Sequence, residues 1–461
     1  MCAMSIDTNS TRVLLPEFDR RYPVAVRGGG VWLEDSAGRR YLDAMSGGSM
    51  AATLGYGRRD IIEVARRQAA RLAYVHNERL TNPLQEQLAH ELCEVAPPGF
   101  RRVRFVTGGA EANEMAIRFA RAYHVERGEP DRWQVISQAQ AYHGPTMLTL
   151  ALTGRPGLQG PLGPYLARHL HIPPSTRWLD PTGQAALDAL DLALEEAGPG
   201  NVAAFFCEPI SAAALPAHAP PRLFWEGLEE RRRRHGFLVC FDEIVTGMGR
   251  VGSWFAGCET PIVPDLIATA KGLGAGYAPI GAVIVAEHVY EAFANGSRKF
   301  TLGHTWDGAP LSCAVGLAVV HAIRTEGLVE RVRERGARLR AELEEALSGI
   351  AIVAEVRGHG FLLGVEYMDP RDDSAFLPRQ LRVAGRIDEV ALDRGLITLS
   401  TQPTGDGMAG DQSLFAPPFT TTDAELEEMV SRFADTVRQV AADVEPELVN
   451  LGSVADMEGN R

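Results

Sequence analysis

Residues 237–252 read FLVCFDEIVTGMGRVG, an apolar run that ends in an acidic pair and continues into a glycine-rich loop. A short run rich in Val, Phe and Leu and bounded by turn residues is typical of a buried strand. Similar runs alternate with segments of helical period, and they lie at 103–107, 133–138, 202–210, 266–270 and 281–286. This alternation predicts an α/β fold with a mainly parallel sheet flanked by helices.

The two ends of the chain predict a second, smaller unit. Residues 29–47 (GGVWLEDSAGRRYLDAMSG) are typical of two strands joined by a turn. After a long helical segment over 311–348, residues 350–368 (IAIVAEVRGHGFLLGVEYM) indicate another pair of strands, and a helix follows over 379–394. We therefore expect a large domain over 65–325 and a smaller α+β domain formed from 1–64 and 326–461.

The bulk composition excludes several classes of protein. A formal net charge of -13 argues against a surface that binds nucleic acid or an anionic membrane. The six cysteines are widely spaced and form no C-x-x-C pair, which argues against a disulfide framework or a zinc site. The sequence contains no apolar run as long as a membrane span, and its start lacks the pattern of a secretory signal. We expect a cytoplasmic protein without a bound metal.

Lysine is rare in this chain, which has 44 arginines but only two lysines, Lys271 and Lys299. Lys271 lies in PDLIATAKGLGAGYAPIGAV (264–283), where an apolar run passes into a glycine-rich turn. A lysine desolvated in such a place has a lowered pKa and can attack a carbonyl carbon. The alternative is a surface lysine at a strand end. Lys299 lies among polar residues and has no comparable surroundings.

Two further segments carry candidate chemistry. In FVTGGAEANE (105–114), Gly108 and Gly109 join a strand to a helix, whose first backbone N–H groups can bind a phosphate. An ordinary tight turn is the alternative. Asp242 ends the buried run quoted first, where a carboxylate is costly without a cationic partner. It could keep a bound pyridine ring protonated, so that the ring acts as an electron sink, or it could cap the next loop.

These segments, in this order, resemble the class III pyridoxal-phosphate aminotransferases of fold type I, also called ω-aminotransferases. The similarity runs from YLDAMSG near residue 41 to APPF at 416–419. It implies a seven-stranded sheet in the large domain and pyridoxal 5'-phosphate as cofactor. It also implies that Lys271 forms the Schiff base with this cofactor and later moves the substrate proton, while Asp242 contacts the pyridine nitrogen.

The resemblance implies a set of further cofactor contacts. The phosphate would be bound at Gly108, Gly109 and Ala110, where the commonest form of the family has Ser or Thr in place of Ala110. Ring contacts would come from Tyr142 and His143 in AYHGPT on one side and from Ile244 on the other, with Glu208 of CEPI behind the cofactor.

The segment FTLGHTWDGAPLSCA (300–314) is similar to the family segment that crosses a dimer interface. The resemblance implies that Thr305 offers its hydroxyl to the phosphate in the partner subunit. A homodimer with shared active sites follows from this reading. A threonine in an ordinary loop is the alternative.

The substrate is the open question at this stage. Many relatives bind a substrate carboxylate through an arginine shortly before the PP motif. Here no arginine lies between Arg394 and Arg432, and the loop carries Asp406 and Asp411 instead. Either a different arginine serves, or the donor lacks a carboxylate near the reacting carbon.

The small residues of 45–57 favour an ω-aminotransferase that takes primary amines or ω-amino acids, with a 2-oxo acid such as pyruvate as acceptor, by a ping-pong mechanism through Lys271. The alternatives are dialkylglycine-type decarboxylation and glutamate-semialdehyde aminomutase chemistry. A catalytically silent homologue is disfavoured, because the lysine, the aspartate and the phosphate turn occur together.

Overall fold

The structure is a computed structural model that describes residues 5–6, 11–18, 20–301, 303–372, 375–404 and 407–451. Within these residues the strands are β1 (Ser5–Ile6), β2 (Tyr22–Pro23), β3 (Ala25–Gly29), β4 (Trp32–Asp35), β5 (Arg40–Asp43), β6 (Phe100–Val106), β7 (Gln134–Gln138), β8 (Leu170–Ile172), β9 (Val202–Cys207), β10 (Leu238–Asp242), β11 (Leu266–Thr269), β12 (Gly281–Ala286), β13 (Val353–His359), β14 (Leu362–Tyr367), β15 (Leu396–Ile397), β16 (Leu399–Thr401) and β17 (Gln412–Phe415).

The α-helices of the same residues are α1 (Arg59–Arg71), α2 (Pro83–Val95), α3 (Gly109–Glu126), α4 (Met147–Leu152), α5 (Pro156–Gln159), α6 (Gln184–Ala197), α7 (Arg222–His235), α8 (Glu287–Asn295), α9 (Pro310–Thr325), α10 (Leu328–Leu347), α11 (Val383–Asp393) and α12 (Asp423–Asn450).

The largest sheet has seven strands in the order β6-β12-β11-β10-β9-β7-β8. All neighbours pair in parallel except β12, which is antiparallel to both β11 and β6. Strands β9, β10 and β12 are buried along their whole length, as expected when helices cover both faces of a sheet. The predicted α/β fold with a mainly parallel seven-stranded sheet is confirmed.

Two of the predicted strands end earlier than their apolar runs. The run at 202–210 is a strand only to Cys207, and the run at 237–244 only to Asp242. Glu208 and Asp242 therefore stand at the carboxyl edge of the sheet rather than inside it. The edge strand β8 was not predicted, because its three residues are too few to show a period.

The chain ends form two smaller sheets of four strands each, and one of these sheets combines both ends. In one sheet, β15 pairs in parallel with β5 and so joins the C-terminal part of the chain to the meander β3-β4-β5. The β4–β5 turn is held by Asp35, whose Oδ1 accepts the backbone N–H groups of Ala37 and Arg39 at 2.9 Å. The other sheet has the order β13-β14-β17-β16. Domain bounds at residues 65 and 325 stay a prediction.

The prediction of one continuous helix over 311–348 is wrong, although the segment is helical. It is two helices, α9 and α10, that meet at an angle of 62°. Gly327 separates them with a φ of +60°, a left-handed conformation that glycine adopts without steric cost. Within the described residues no single helix is long and apolar enough to cross a bilayer. The bent pair α9 and α10, taken together, reaches that length and composition.

Arg250 joins the glycine-rich loop after β10 to both chain ends. Its guanidinium is fully buried, and Nη1 donates to the carbonyls of Phe361 at 3.2 Å and Pro417 at 2.6 Å. Nη2 donates to Ser46 Oγ at 2.9 Å. Burial lowers the pKa of Arg250 to about 9, against the opposing effect of the Asp43 charge. This one side chain thus bonds residues far apart in sequence.

Replacing Arg250 by methionine should lower the free energy of unfolding by about 3 kcal/mol, because two buried carbonyls and one hydroxyl lose their partner. Methionine fills much of the space and carries no charge to desolvate. The loss in free energy of unfolding should therefore stay below the summed free energies of the three hydrogen bonds. Urea unfolding of the apoprotein measures it. Arg338→Met is the control, since Arg338 pairs with Glu342 and Glu427 at the surface and should cost less than about 0.5 kcal/mol. Equal losses in the two variants would contradict this account.

Candidate active site

A cavity of about 340 Å³ opens at the carboxyl edge of the large sheet, the place where α/β sheets bind their ligands. Its lining follows the ends of β6, β10 and β11. Of the ten site residues predicted from the sequence, nine line this cavity, namely Gly108, Gly109, Ala110, Tyr142, His143, Glu208, Asp242, Ile244 and Lys271. The fold therefore brings together residues that span more than 160 positions of sequence.

Asp242 is held at this edge by hydrogen bonds from three directions. Its Oδ2 accepts from Asn113 Nδ2 at 2.7 Å and lies 2.8 Å from His143 Nδ1, while Oδ1 accepts the N–H of Ile244 at 3.1 Å. A carboxylate can only accept, so Nδ1 of His143 carries the proton. The carboxylate is buried, and its three donors fix its position at this edge.

Asn113 is the residue of this network that sequence reasoning missed. Its Nδ2 also donates to the carbonyl of His143 at 2.8 Å, so both amide hydrogens are used. It lies one turn after Gly109 on the buried face of α3, beside Ala112 and Ala116. A polar side chain on an otherwise apolar helical face was the available signal, because a buried amide needs partners.

Lys271 follows β11 directly and begins a short 3-10 turn that ends at Leu273. Its φ is +35°, in the left-handed region that side-chain-bearing residues rarely occupy. Burial lowers the pKa of Lys271, although the charges of Asp242 and Glu208 oppose the shift. A larger fraction of the amine is then neutral and nucleophilic at a given pH than for an exposed lysine.

The turn between β6 and α3 has the shape of an anion site. Helix α3 begins at Gly109 and runs for 18 residues, and its first backbone N–H groups have no partner within the helix. A Cβ at Gly109 would lie 2.8 Å from Ile244 Cδ1, and one at Gly144 would lie 2.8 Å from Ala110 Cβ. Glycine at these two positions therefore lets neighbouring chain segments close round the helix start.

Glu111 has a structural task at this turn. Its Oε2 accepts the backbone N–H of Thr107 at 2.9 Å and also contacts Thr107 Oγ1. Its Oε1 lies 3.2 Å from His304 Nε2. The carboxylate thus fixes the residue before the glycine pair and links it to the 303–308 segment.

These residues fit pyridoxal phosphate. The start of α3 supplies hydrogen-bond donors for the phosphate. Asp242 supplies a buried carboxylate for the ring nitrogen. Lys271 supplies an amine with a lowered pKa for the carbonyl carbon. Tyr142 and Ile244 line the same cavity and are available to the faces of a ring.

Glu208 lies in the same lining as a buried carboxyl group. Its oxygens accept from the N–H of Ala212 and from Ser211 Oγ, both at the long distance of 3.3 Å. Burial, together with the nearby Asp242 charge, raises the pKa of Glu208 to about 7, against the opposing effect of His143. Near neutral pH this side chain can hold or release a proton.

The raised pKa of Glu208 predicts a pH-dependent stability of the apoprotein. The folded state keeps a proton that the unfolded chain releases near 4.5, so the stabilisation is present below pH 4.5 and is lost as pH rises through about 7. Glu208→Gln carries no charge to desolvate. Its melting temperature relative to wild type should therefore rise between pH 5 and pH 8, by about 2 °C or more.

Differential scanning fluorimetry across this pH range makes the comparison. Glu342→Gln serves as the control, because Glu342 pairs with Arg338 at the surface. Melting temperatures of wild type and Glu208→Gln that run parallel from pH 5 to pH 8 would contradict the raised pKa.

Thr305 is the predicted site residue that the fold does not bring to this cavity. It lies outside the described lining, and its carbonyl accepts the hydroxyl of Tyr74 at 2.9 Å. The neighbouring Trp306 is 52% exposed. Its expected contact with the phosphate of a partner subunit stays a prediction.

Comparison with known proteins agrees with this geometry. Residues 18–437 match the family model for aminotransferase class-III. A Bacillus subtilis protein named uncharacterized aminotransferase YodT is 34% identical over 437 residues, which cover 94% of this chain and 98% of that protein.

Solved structures with the same fold include a thermostable (S)-enantioselective omega-transaminase from Thermomicrobium roseum, with a TM-score of 0.86, 31% identity, and 94% and 97% of the two chains covered. The omega transaminase from Pseudomonas jessenii in complex with PMP has a TM-score of 0.87, 28% identity, and 95% and 98% of the two chains covered. The match spans nearly the whole sequence and includes every segment that lines the cavity, and this chain therefore belongs to the class III aminotransferases.

Proposed function

We propose that this aminotransferase moves an amino group from a primary amine or an ω-amino acid to a 2-oxo acid such as pyruvate. The observation that carries the proposal is that no arginine stands among the described residues that line the active-site cavity. A carboxylate beside the reacting carbon is usually held by a guanidinium through two parallel hydrogen bonds. A donor without that carboxylate needs no such partner.

The lining also leaves room for a substituent on the reacting carbon. Several of its residues are small, namely Ala51, Ala213, Gly276 and Ala278. Such residues favour donors whose carbon carries an alkyl or aryl group.

Of the two aspartates in the arginine-free loop, Asp411 has a structural role. Asp411 is fully buried, and its Oδ1 accepts the N–H of Ala384 at the start of α11 at 2.8 Å. Asp411 therefore holds the helix start. Asp406 lies outside the described residues.

The carboxylate of the 2-oxo acid has a candidate partner nearby. Arg155 and Arg379 line a second cavity of about 490 Å³ together with residues 402–404 of the same loop. Gln140 of that lining is two residues from Tyr142. We propose that one of these arginines serves the acceptor. Either Arg155→Gln or Arg379→Gln should then raise the KM for pyruvate and leave the KM for the amine unchanged, and a normal KM for pyruvate in both variants would contradict the proposal.

Pyridoxal phosphate is the cofactor of class III aminotransferases, and when bound it supplies an electron sink for the carbon that loses a proton. Nζ of Lys271 would hold the cofactor and would move the proton at the substrate Cα. Asp242 would contact the ring nitrogen and favour its protonated form. Backbone N–H groups of 108–110 would bind the phosphate. One site performs both half-reactions in turn, so the kinetics are ping-pong.

We also propose a homodimer. Tyr74 and Trp306 pack edge to face at 5.3 Å between ring centroids, and both are exposed, as is Leu80. This apolar surface adjoins Thr305, and exposed patches of this kind are typical of subunit interfaces. A second copy placed there would bring its Thr305 towards the phosphate of the first. Sedimentation of the holoenzyme tests the assembly, and a monomer would contradict it.

A half-reaction assay tests the substrate class. The visible spectrum of the holoenzyme is recorded before and after addition of 1-phenylethylamine, β-alanine or L-glutamate, and pyruvate is then added. We expect one of the first two compounds to bleach the cofactor band faster than L-glutamate and pyruvate to restore it. A faster response to L-glutamate would contradict the proposal.

Two further results would point elsewhere. Release of CO2 and acetone from 2-aminoisobutyrate, with pyruvate converted to alanine, would favour decarboxylation, and turnover of glutamate semialdehyde alone would favour the aminomutase. A protein that stays colourless after addition of pyridoxal phosphate would exclude all three reactions.

A further inference from the structure

A third cavity, of about 310 Å³, has a lining that shares no residue with the active site. It lies between residues 175–181, residues 215–221, the β13–β14 hairpin and the stretch at 408–412. Its volume far exceeds the space of about 15 Å³ that one water needs. It falls instead at the lower end of the range for small-molecule pockets, which begins at about 300 Å³.

The lining contains a group of polar atoms without partners. Within the described part of the chain, no hydrogen-bond partner reaches Ser175 Oγ, Trp178 Nε1, His218 Nε2 or Gln412 Nε2. Ser175 is 2% exposed and Gln412 is 1% exposed. Buried polar atoms are nearly always bonded, so four exceptions on residues that line one cavity point to a bonding partner there.

The hydrogen bonds of Arg357 show whether the unpartnered atoms of this lining need a donor or an acceptor. Its Nε donates to the carbonyl of Pro216 at 3.0 Å, its Nη1 binds Glu366 at 2.7 Å and Glu355 at 3.0 Å, and its Nη2 donates to Gln412 Oε1. Because Gln412 Oε1 is already an acceptor, the free end of that amide is the donor Nε2. Trp178 Nε1 can only donate as well. The missing partner must therefore accept hydrogen bonds.

The charge of the lining points the same way. Arg357 pairs with Glu366 at 2.7 Å and with Glu355 at 3.0 Å, whereas Arg177 lies 3.7 Å from Glu355. The lining also holds Arg340, so its three arginines outnumber its two glutamates. The Arg177 guanidinium lies over the ring of Trp178 at 4.0 Å from its centroid. Burial and the Arg357 charge lower the pKa of His218 to about 4, so this histidine is neutral near pH 7.

We propose that this cavity is a second binding site, for a small oxyanion of the carboxylate or phosphate kind. The anion bonds the guanidinium of Arg177 and takes hydrogen bonds from Trp178 Nε1, Gln412 Nε2 and Ser175 Oγ. Ala213 lines the active site and Leu215 lines this cavity, so the bound anion lies behind one wall of the active site. The proposal is independent of the amine that the enzyme uses.

The test labels the six tryptophans of the holoenzyme with 5-fluorotryptophan and follows their 19F resonances. Trp178→Phe identifies the resonance of Trp178. Sodium malonate and sodium phosphate are titrated separately in a buffer without other oxyanions, and the bound cofactor keeps phosphate out of the active site. We expect at least one of the two to shift the Trp178 resonance saturably, while that of the core residue Trp225 stays in place. A shift with malonate would identify the ligand as a carboxylate, and a shift with phosphate would identify it as a phosphate.

Arg177→Gln should weaken this binding by at least about tenfold, since a charge-assisted hydrogen bond is lost. Arg168→Gln is the matched control, because Arg168 is exposed and pairs with Glu196 away from this lining. The rise in melting temperature that a bound anion gives should be lost in the first variant and kept in the second. Failure of both anions to shift the Trp178 resonance, or equal binding by the two arginine variants, would overturn the proposal.

Discussion

Replacing Lys271 by alanine should lower kcat by at least about 10⁴-fold, because one side chain supplies both the covalent bond to the cofactor and the base that moves the proton. The chain has no substitute. Its other lysine, Lys299, lines a separate cavity with Arg102 and Phe300 and is absent from the described active-site lining. Steady-state transamination with the donor identified by the half-reaction assay measures the loss.

The variant should remain folded, since a buried amine with a lowered pKa costs free energy in the folded state. It should also still bind pyridoxal phosphate through the start of α3 and Asp242, which equilibrium dialysis can show. Lys299→Ala is the control and should keep wild-type activity. A Lys271→Ala enzyme with more than about a hundredth of wild-type kcat would overturn the assignment, because that residual rate exceeds what positioning alone explains.

Added methylamine gives a second readout. If the lost group is the base, a small amine that enters the space left by the lysine side chain restores part of the rate, in proportion to its neutral fraction. A purely structural defect would not respond to methylamine.

The central sheet could be predicted from the sequence because its strands are buried on both faces. β10, β11 and β12 consist of apolar residues apart from Asp242 and Thr269, and such runs are visible without any partner. The ends of β10 and β11 place Asp242 and Lys271 at one edge of the sheet, so the position of the site could be predicted once the strands were. The break at Gly327 escaped prediction, since the helical period continues on both sides of it.

The contacts that hold the site could not be read from the sequence. Arg250 bonds residues 46, 361 and 417, and Asn113 bonds residues 143 and 242. Neither side chain has a local motif, because its partners are set by tertiary packing. The sequence can show that Asn113 stands on an apolar helical face, but only the structure shows which groups it bonds.

Replacing Asp242 by asparagine should lower kcat/KM by about 10³-fold, the size of effect that loss of one preorganised electrostatic contact produces. The amide has no charge, so it no longer keeps the ring nitrogen protonated, and the ring is a weaker electron sink. The measurement is kcat/KM beside the dissociation constant of pyridoxal phosphate and the melting temperature.

The geometry of Asp242 makes this loss an electrostatic one. His143 Nδ1 and Asn113 Nδ2 both approach Oδ2, whereas the N–H of Ile244 approaches Oδ1 at the longer distance of 3.1 Å. An asparagine can place its oxygen where Oδ2 is and keep the two stronger bonds, so the fold survives while the charge is lost. Asn113→Ala does the opposite, since it removes the hydrogen bonds of Asn113 to Asp242 and to the His143 carbonyl and keeps the charge, and it should cost about tenfold. If Asn113→Ala were the more damaging of the two, orientation rather than charge would be the contribution of Asp242.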